Sequence, residues 1–325
     1  MQALVLVGGQ GTRLRPLTET LPKPAIPLVD RPFLAYMIEW LGRHGVDEVV
    51  LACGFLPDRL REVLGDGGSG GPQLVYVEEP EPRGTAGAIK FAEKHLDDRF
   101  LALNGDVLTD LDLSALIRHH EQSGALATLG LYPVDDPTAY GLVRHRPDGE
   151  ITEFLEKPDP AEIDTDEVNA GTYVLEREVL AEIEPDANVS IERDVFPRLV
   201  GRGLHGIRLE GYWMDIGTPE RYLQASWDIL EGRVETGLEP TAPGVFAHPE
   251  AEIDPEASVG PRAVVGAGCR IGAGATVESS VLLPGCDIRE GASVRGSILA
   301  ERVEVDPQAT VEDTVLGRGK RVSGP

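Results

Sequence analysis

From residue 253 onward, branched side chains recur every six positions: Ile253, Val259, Val265, Ile271, Val277 and Leu283. The register then slips by one to Ile288, resumes at Val294, and returns at Val305 and Val311. Two residues before most of these stands something small: Ala251, Ala257, Ala263, Cys269, Ala275, Cys286, Ala292 and Ala309. Gly often follows the branched position, as at Gly260, Gly266 and Gly272. A six-residue step with one branched and one small residue predicts a parallel β-helix of hexapeptide repeats, whose short strands turn corners and stack their branched side chains centrally. A stretch rich in Gly, Pro and Glu, 232–249, reads as the linker before it. The expected division is therefore 1–231, linker 232–249, and β-helix 250–325.

The first 231 residues have another texture. Ala3–Val7, Glu48–Cys53, Gln73–Glu78, Phe100–Leu103 and Ala125–Leu131 are apolar runs. Helix-like segments separate them: Phe33–His44, Asp58–Leu64, Thr85–His95 and Leu113–Gln122. Almost wholly apolar strands spaced by helices predict a doubly wound α/β domain with a mainly parallel sheet. Ligands of such folds sit beyond the carboxyl ends of the strands. After Tyr132 the pattern turns mixed. Tyr140–Arg146 and Ile151–Leu155 read as a hairpin turning at Asp148-Gly149, and Asn169–Leu175 as a strand. Ser190 is a candidate N-cap for a helix to Leu199, and Thr218 for a last helix to about Leu230.

The sequence carries 55 acidic against 30 basic residues, a net charge of −25. That balance excludes a nucleic-acid binder, whose affinity comes from Lys and Arg neutralising phosphates. No apolar run approaches a membrane span, and the N-terminus lacks the basic stretch of a signal peptide. Cys53, Cys269 and Cys286 have no metal-ligand spacing and are expected to be buried thiols in a reducing cytoplasm.

The chemistry concentrates at Leu4–Pro24, LVLVGGQGTRLRPLTETLPKP. An apolar strand stops at Gly8-Gly9, and a glycine-rich turn carries Arg13 and Arg15 before Lys23. Leu14 occupies the place where a dinucleotide fingerprint needs its third glycine, and no Gly-Lys-Ser/Thr closes the loop as in a P-loop. Pro16 discourages an immediate helix. What remains is a nest of free N–H groups with a guanidinium, an anion site.

Gly8-Gly9-Gln10-Gly11-Thr12-Arg13-Leu14-Arg15-Pro16-Leu17-Thr18 with Pro22-Lys23-Pro24 resembles the signature of the sugar-1-phosphate nucleotidylyltransferases. The likeness continues in order through Gly84-Thr85-Ala86-Gly87, Asn104-Gly105-Asp106, Glu156-Lys157-Pro158, Asn169-Ala170-Gly171 and Trp213 to Pro219. The repeats are similar to the left-handed β-helix that this family often carries. The resemblance implies that a sugar phosphate oxygen attacks the α-phosphorus of an NTP and pyrophosphate leaves. Such transfer is positioning and charge neutralisation, with no protein nucleophile. It implies that Arg13 and the amides of Gly8, Gly9, Gly11 and Thr12 hold the leaving phosphates, and Lys23 the α-phosphate. Leu6, Asn104 and a loop from Glu81 to Gly87, with Gly84 and Thr85 nearest the base, complete the nucleotide side. Gly141, Glu156, Lys157, Asn169 and Thr172 take the sugar phosphate. Asp106 and Asp215 would hold Mg²⁺ together with substrate phosphates.

Gly84-Thr85-Ala86-Gly87 is similar to the loop of guanylyltransferases acting on mannose 1-phosphate, although Arg83 stands where leucine is common. GTP with mannose 1-phosphate is the pairing expected. Glucose 1-phosphate with dTTP, UTP or ATP stands as the alternative. A non-catalytic NDP-sugar-binding subunit is a reading of another class; it would be expected to lack Arg13, Lys23 or a metal carboxylate, all of which are present. Acyl transfer by the β-helix is disfavoured, since His248 is the last histidine and precedes the repeats. The β-helix is expected to serve homo-oligomerisation or regulation.

Overall fold

The computed structural model describes residues 1–54, 56–68, 70–156 and 159–324. The chain divides into two compact units: Met1–Gly9 with Met37–Trp213, and Gln10–Tyr36 with Met214–Pro325.

The first unit is built on a nine-stranded mixed sheet. Its strands are β1 (Gln2–Leu6), β2 (Glu48–Cys53), β3 (Gln73–Glu78), β4 (Arg99–Asn104), β5 (Ala127–Pro133), β6 (Gly141–His145), β7 (Ile151–Glu156), β8 (Glu167–Glu176) and β9 (Leu204–Arg208). β1 pairs in parallel with β2 on one side and β4 on the other, and β2 with β3. β8 runs antiparallel to β4, β5 and β6, and β7 antiparallel to β6. The parallel strands read as unbroken apolar runs because helices cover both faces. The first four helices in chain order are α1 (Phe33–Arg43), α2 (Pro57–Leu64), α3 (Gly84–Phe91) and α4 (Leu113–Ser123). Leu4, Phe100, Ala102, Tyr173, Phe196 and Leu204 lie in one buried cluster with many others.

The helix expected over Thr85–His95 is present, running from Gly84 to Phe91 with a further turn at Glu93–His95, so the last residues of the expected loop Glu81–Gly87 are its first turn. Gly84 and Gly87 let two carbonyls approach it: a Cβ at Gly84 would stand 2.6 Å from the Val189 oxygen, and one at Gly87 2.5 Å from that of Ala187. The helix expected from Ser190 begins as a π-turn, Ile191–Val195, before a single α-turn, Phe196–Leu199. Ser190 is its cap as expected, accepting from the Arg193 amide.

The second unit contains the segment 10–36, a helix Pro219–Leu230 capped by Thr218, and the β-helix. Three parallel sheets of short strands stack coil upon coil. Ile253 pairs with Ile271, Ile271 with Ile288, Ile288 with Val305, and Val305 with Val322. Val259, Val277, Val294 and Val311 form a second column. The third column is Val265, Leu282, Leu299 and Leu316, so the inward residue of its second coil is Leu282 and not Leu283. The register slip lies one corner earlier than the repeat suggests, because the corner between Val277 and Val281 is a residue shorter than the one above it. Its polar groups are satisfied by a buried ladder: the Ser297 amide donates to Ser280 Oγ (3.0 Å) and the Thr314 amide to Ser297 Oγ (3.2 Å). The first coil opens at Val245–Ala247, paired with Ala263–Val265. All three cysteines are buried free thiols. Among the described residues, no helix is long and apolar enough to cross a membrane.

Candidate functional site

In the first unit the strand order reverses at β1, which lies between β2 and β4 and is parallel to both, the kind of switch point at which α/β folds bind ligands. β1 ends at Leu6 beside Asn104, the end of β4. Gly8-Gly9 therefore leaves the sheet next to Asn104-Gly105-Asp106. A Cβ at Gly105 would stand 2.7 Å from the Leu6 carbonyl, so only glycine permits the turn that places Asp106 at this edge. Gly8 is close to Gly54 and Glu79, and Gly9 faces open space.

Across from this edge, β8 carries a bulge between Asn169 and Tyr173. Gly171 adopts a left-handed φ of 68° there, and its missing Cβ leaves room for the Asn104 amide, which would otherwise be 2.6 Å away. The Gly171 amide donates to Asn169 Oδ1 (3.0 Å), and Asn169 Nδ2 donates to the Tyr173 hydroxyl (2.8 Å). Asn169 is thus fixed in orientation with one N–H left over. Thr172, next in the strand, is buried at 2% exposure.

Gly141 opens β6 opposite Glu156 in β7. A side chain at 141 would meet Glu156 Oε2 at 2.9 Å and the Phe154 ring at 2.9 Å, so glycine leaves space for that carboxylate. Lys157 lies outside the described residues. Trp213 is flanked by Tyr132 and Tyr140, with ring centroids 5.6 and 5.3 Å away, and its indole donates to the Ala170 carbonyl in the β8 bulge (2.8 Å). Tyr173, by contrast, is core: it is fully buried against Phe196.

At the start of α3, Thr85 Oγ1 donates to Glu192 Oε2 (2.8 Å) and accepts from the Ile191 amide (2.8 Å). Its one hydroxyl proton is therefore directed to Glu192. Arg83 is buried, paired with Asp186 (2.6 Å) and stacked over Phe91 (4.7 Å). Its departure from leucine is absorbed by this clamp. Neither Glu192 nor the Arg83–Asp186 pair was singled out by sequence reasoning; the partners are more than a hundred positions apart.

In the second unit the phosphate-loop segment is a series of 3-10 turns, Thr12–Leu14, Leu17–Glu19 and Lys23–Ala25, as Pro16 predicts. Gly11 starts it with φ 60°, and its carbonyl accepts from the Leu14 amide (2.9 Å) and Thr18 Oγ1 (2.9 Å). The stem of Lys23 is buried against Gly11. The Arg13 guanidinium lies over Gly217, where a Cβ would be 2.9 Å from it. Asp215 Oδ2 accepts from Arg221 (3.2 Å), which holds that carboxylate in one orientation. The Pro16 ring contacts Gly317 of the β-helix within the same unit, and a cavity of about 570 Å³ opens beside them.

Asp106 and Asp215 offer hard oxygen donors. Among the described residues, no group of three or more His, Cys, Asp or Glu is arranged as a metal cage. Each carboxylate is the kind of ligand that Mg²⁺ ordinarily takes from a protein when phosphate oxygens and water supply the rest, Asp106 in the first unit and Asp215 in the second.

The profile of the nucleotidyl transferase family matches residues 2–232, and that of the GMPPB C-terminal domain residues 241–324. A mannose-1-phosphate guanylyltransferase of Mycobacterium tuberculosis is 41% identical over 237 residues, covering 71% of this chain and 65% of that protein. A mannose-1-phosphate guanyltransferase of Schizosaccharomyces pombe is 39% identical over 250 residues, covering 75% of this chain and 68% of that protein. The chain thus spans about two thirds of the length of such relatives. Among solved structures, HddC from Yersinia pseudotuberculosis complexed with GMP-PN matches 70% of this chain and 99% of its own, with a TM-score of 0.60 and 29% identity. With every candidate residue from Leu6 to Asp215 inside the matched segment 2–232, the chain belongs to the nucleotidyl transferase family.

Proposed function

We propose that the chain transfers a guanylyl group from GTP to mannose 1-phosphate, giving GDP-mannose and pyrophosphate. The observation that carries this reading is that relatives named for that reaction align over most of the chain, while the candidate residues keep the chemistry it needs. The sugar phosphate oxygen attacks the α-phosphorus, a new P–O bond forms, and the bond to the β-phosphate breaks. Arg13 and the amides of Gly8, Gly9, Gly11 and Thr12 receive the growing charge of the leaving pyrophosphate. Lys23 neutralises the α-phosphate. Leu6, Asn104, Gly84 and Thr85 border the nucleotide. Glu156 and Asn169 hydrogen-bond sugar hydroxyls, Gly141 and Thr172 shape the pocket, and Lys157 contacts the sugar phosphate. Asp106 and Asp215 are the carboxylates that would hold Mg²⁺, which when bound would offset the negative charge of the phosphates.

In this reading residues 1–231 carry catalysis, the segment from 232 links, and the β-helix, whose first strand is Val245–Ala247, forms an assembly element. The protein works in a reducing cytoplasm as a homo-oligomer, a state that light scattering of the full chain would test. The deciding experiment is pyrophosphate release over a matrix of NTPs against mannose, glucose, galactose and glucosamine 1-phosphates with Mg²⁺. The reading expects GTP with mannose 1-phosphate to dominate. A preference for another pair would reassign the substrates, and silence in every combination would defeat the enzymatic reading.

A further inference from the structure

Glu192 stands on the π-turn Ile191–Val195, where the Phe196 amide reaches back to the Ile191 carbonyl. Isolated π-turns recur at functional sites because the widened turn re-aims a side chain. Here the carboxylate collects three hydroxyl groups from three places. Thr85 Oγ1, at the start of α3, donates to Oε2 at 2.8 Å. Ser190 Oγ, the cap of the turn, donates to Oε2 at 2.7 Å. The Tyr173 hydroxyl, in the core of β8, donates to Oε1 at 3.5 Å. Tyr173 in turn accepts from Asn169 Nδ2, and Asn169 Oδ1 accepts from the Gly171 amide. The polarity of this chain is fixed. A carboxylate only accepts, so Thr85 points its proton at it, and the Tyr173 hydroxyl, which receives Asn169 on a lone pair, has its proton available for the longer contact to Oε1. Burial, followed by the nearby Glu192 charge, raises the Tyr173 phenol far above its ordinary value, so the proton stays on it.

We propose that Glu192 is a positioning residue that ties the nucleotide side of the site, at Gly84-Thr85, to the sugar side, at Asn169–Thr172. The proposal rests on the functional reading above for what those two segments bind. Glu192 acts through Thr85 and Tyr173 and takes no part in the bond making. Losing it frees Thr85 to rotate and leaves Tyr173 without its acceptor, so both substrates lose ordered contacts at once. Hydrogen bonds to a charged acceptor are strong enough for this to be read kinetically.

The test compares Glu192→Gln, Glu192→Ala, Thr85→Val, Thr85→Ser and the double variant Glu192→Ala/Thr85→Val. Glu192→Ala should lower kcat/KM about ten- to hundredfold for both GTP and mannose 1-phosphate. Thr85→Val should do likewise, Glu192→Gln should fall between Glu192→Ala and wild type, and Thr85→Ser should restore near-normal rates. The double variant should be no worse than Glu192→Ala, because both changes break one connection. Hydrogen exchange on the free protein gives a readout independent of chemistry. Glu192→Gln, which keeps the size of the side chain, should speed exchange both at Gly84–Ala88 and at Asn169–Thr172. Additive effects, a penalty on one substrate alone, or unchanged exchange at either segment would overturn the proposal. A wild-type protein that releases no pyrophosphate would defeat the functional reading instead, and the exchange data would still decide whether Glu192 makes the tie.

Discussion

The β-helix and the edge of the nine-stranded sheet use their residues in opposite ways. In the β-helix every inward position has a like residue above or below it: Ile271 between Ile253 and Ile288, Val294 between Val277 and Val311. At the sheet edge each group is held by a partner that occurs once: Asn104 over Gly171, Glu156 over Gly141, Thr85 on Glu192. Redundant stacking distributes stability and carries no unique atom. Single ties place unique atoms and distribute nothing. Substitutions in the first region should therefore cost stability and spare chemistry, and substitutions in the second the reverse.

The largest effect should come from Asp106→Ala, which removes a carboxylate from the turn that Gly105 makes possible. We expect kcat/KM to fall about a thousandfold or more, the scale of losing one preorganised electrostatic element. The thermal midpoint should stay within a few degrees of wild type, since the side chain is not in the core. Near-normal pyrophosphate release would remove Asp106 from the metal-holding role.

The converse change is Ile288→Ala in the middle of a β-helix column. Ile288 is fully buried between Ile271 and Val305. Truncating it should cost about 2–5 kcal/mol in denaturant unfolding, while kcat under folding conditions stays the same. A loss of kcat with unchanged stability would break the proposed contrast. Between the two stands Gly141→Ala. Its Cβ would collide with Glu156 Oε2 and the Phe154 ring, so the carboxylate must shift by several tenths of an ångström. An increase of about tenfold in KM for the sugar phosphate is expected, with little change for GTP. Equal penalties on both substrates would show that Gly141 matters for folding and not for the sugar pocket.

The same contrast explains what could be read from the sequence. A repeating environment writes a repeating pattern, so the β-helix was evident from the six-residue step through Ile253, Val259, Val265, Ile271 and Val277. The third column was missed beyond Val265, with Leu283 read for Leu282 and Leu299 and Leu316 not placed, because shortening a corner by one residue shifts the register without changing composition. The parallel strands were evident because burial on both faces selects unbroken apolar runs. The glycines of the site were visible as glycines, and Gly105 and Gly141 are where backbone or carboxylate must come close. The ties themselves were not visible. Thr85 and Glu192 are 107 positions apart, and nothing local distinguishes Glu192 from a solvated acid in the first turn of a helix. Where the loop from Glu81 gives way to the helix expected from Thr85 was not visible for the same reason: the carbonyls of Ala187 and Val189, which receive the glycine face of α3, come from a distant segment.

The smallest expected effect separates the two regions by pH. Residues 250–325 contain no histidine, whereas the first unit packs His119 on α4 against His205 on β9, with ring centroids 5.9 Å apart. Burial, then the neighbouring His205, His120 and His145 rings, lowers the His119 pKa below 6.5; the Asp148 carboxylate opposes this less strongly. Burial likewise lowers that of His120, in spite of the hydrogen bond and charge of Glu176, and the Arg99 guanidinium beside it lowers it further. Both groups bind protons more readily when unfolded. Stability is therefore complete above the unfolded value of 6.5 and is lost as pH falls through the lower, folded values. Trp40 and Trp213 belong to the first unit, whereas Arg262 of the β-helix lies over the Trp227 ring (5.2 Å), so in a Trp227→Phe background the fluorescence follows unfolding outside the β-helix. The urea midpoint seen by fluorescence should drop between neutral pH and about pH 5.5, and His119→Asn should flatten that dependence. A midpoint that does not move over this interval would mean that the paired histidines stay neutral at no cost, and that the sheet region is no more sensitive to acid than the repeats.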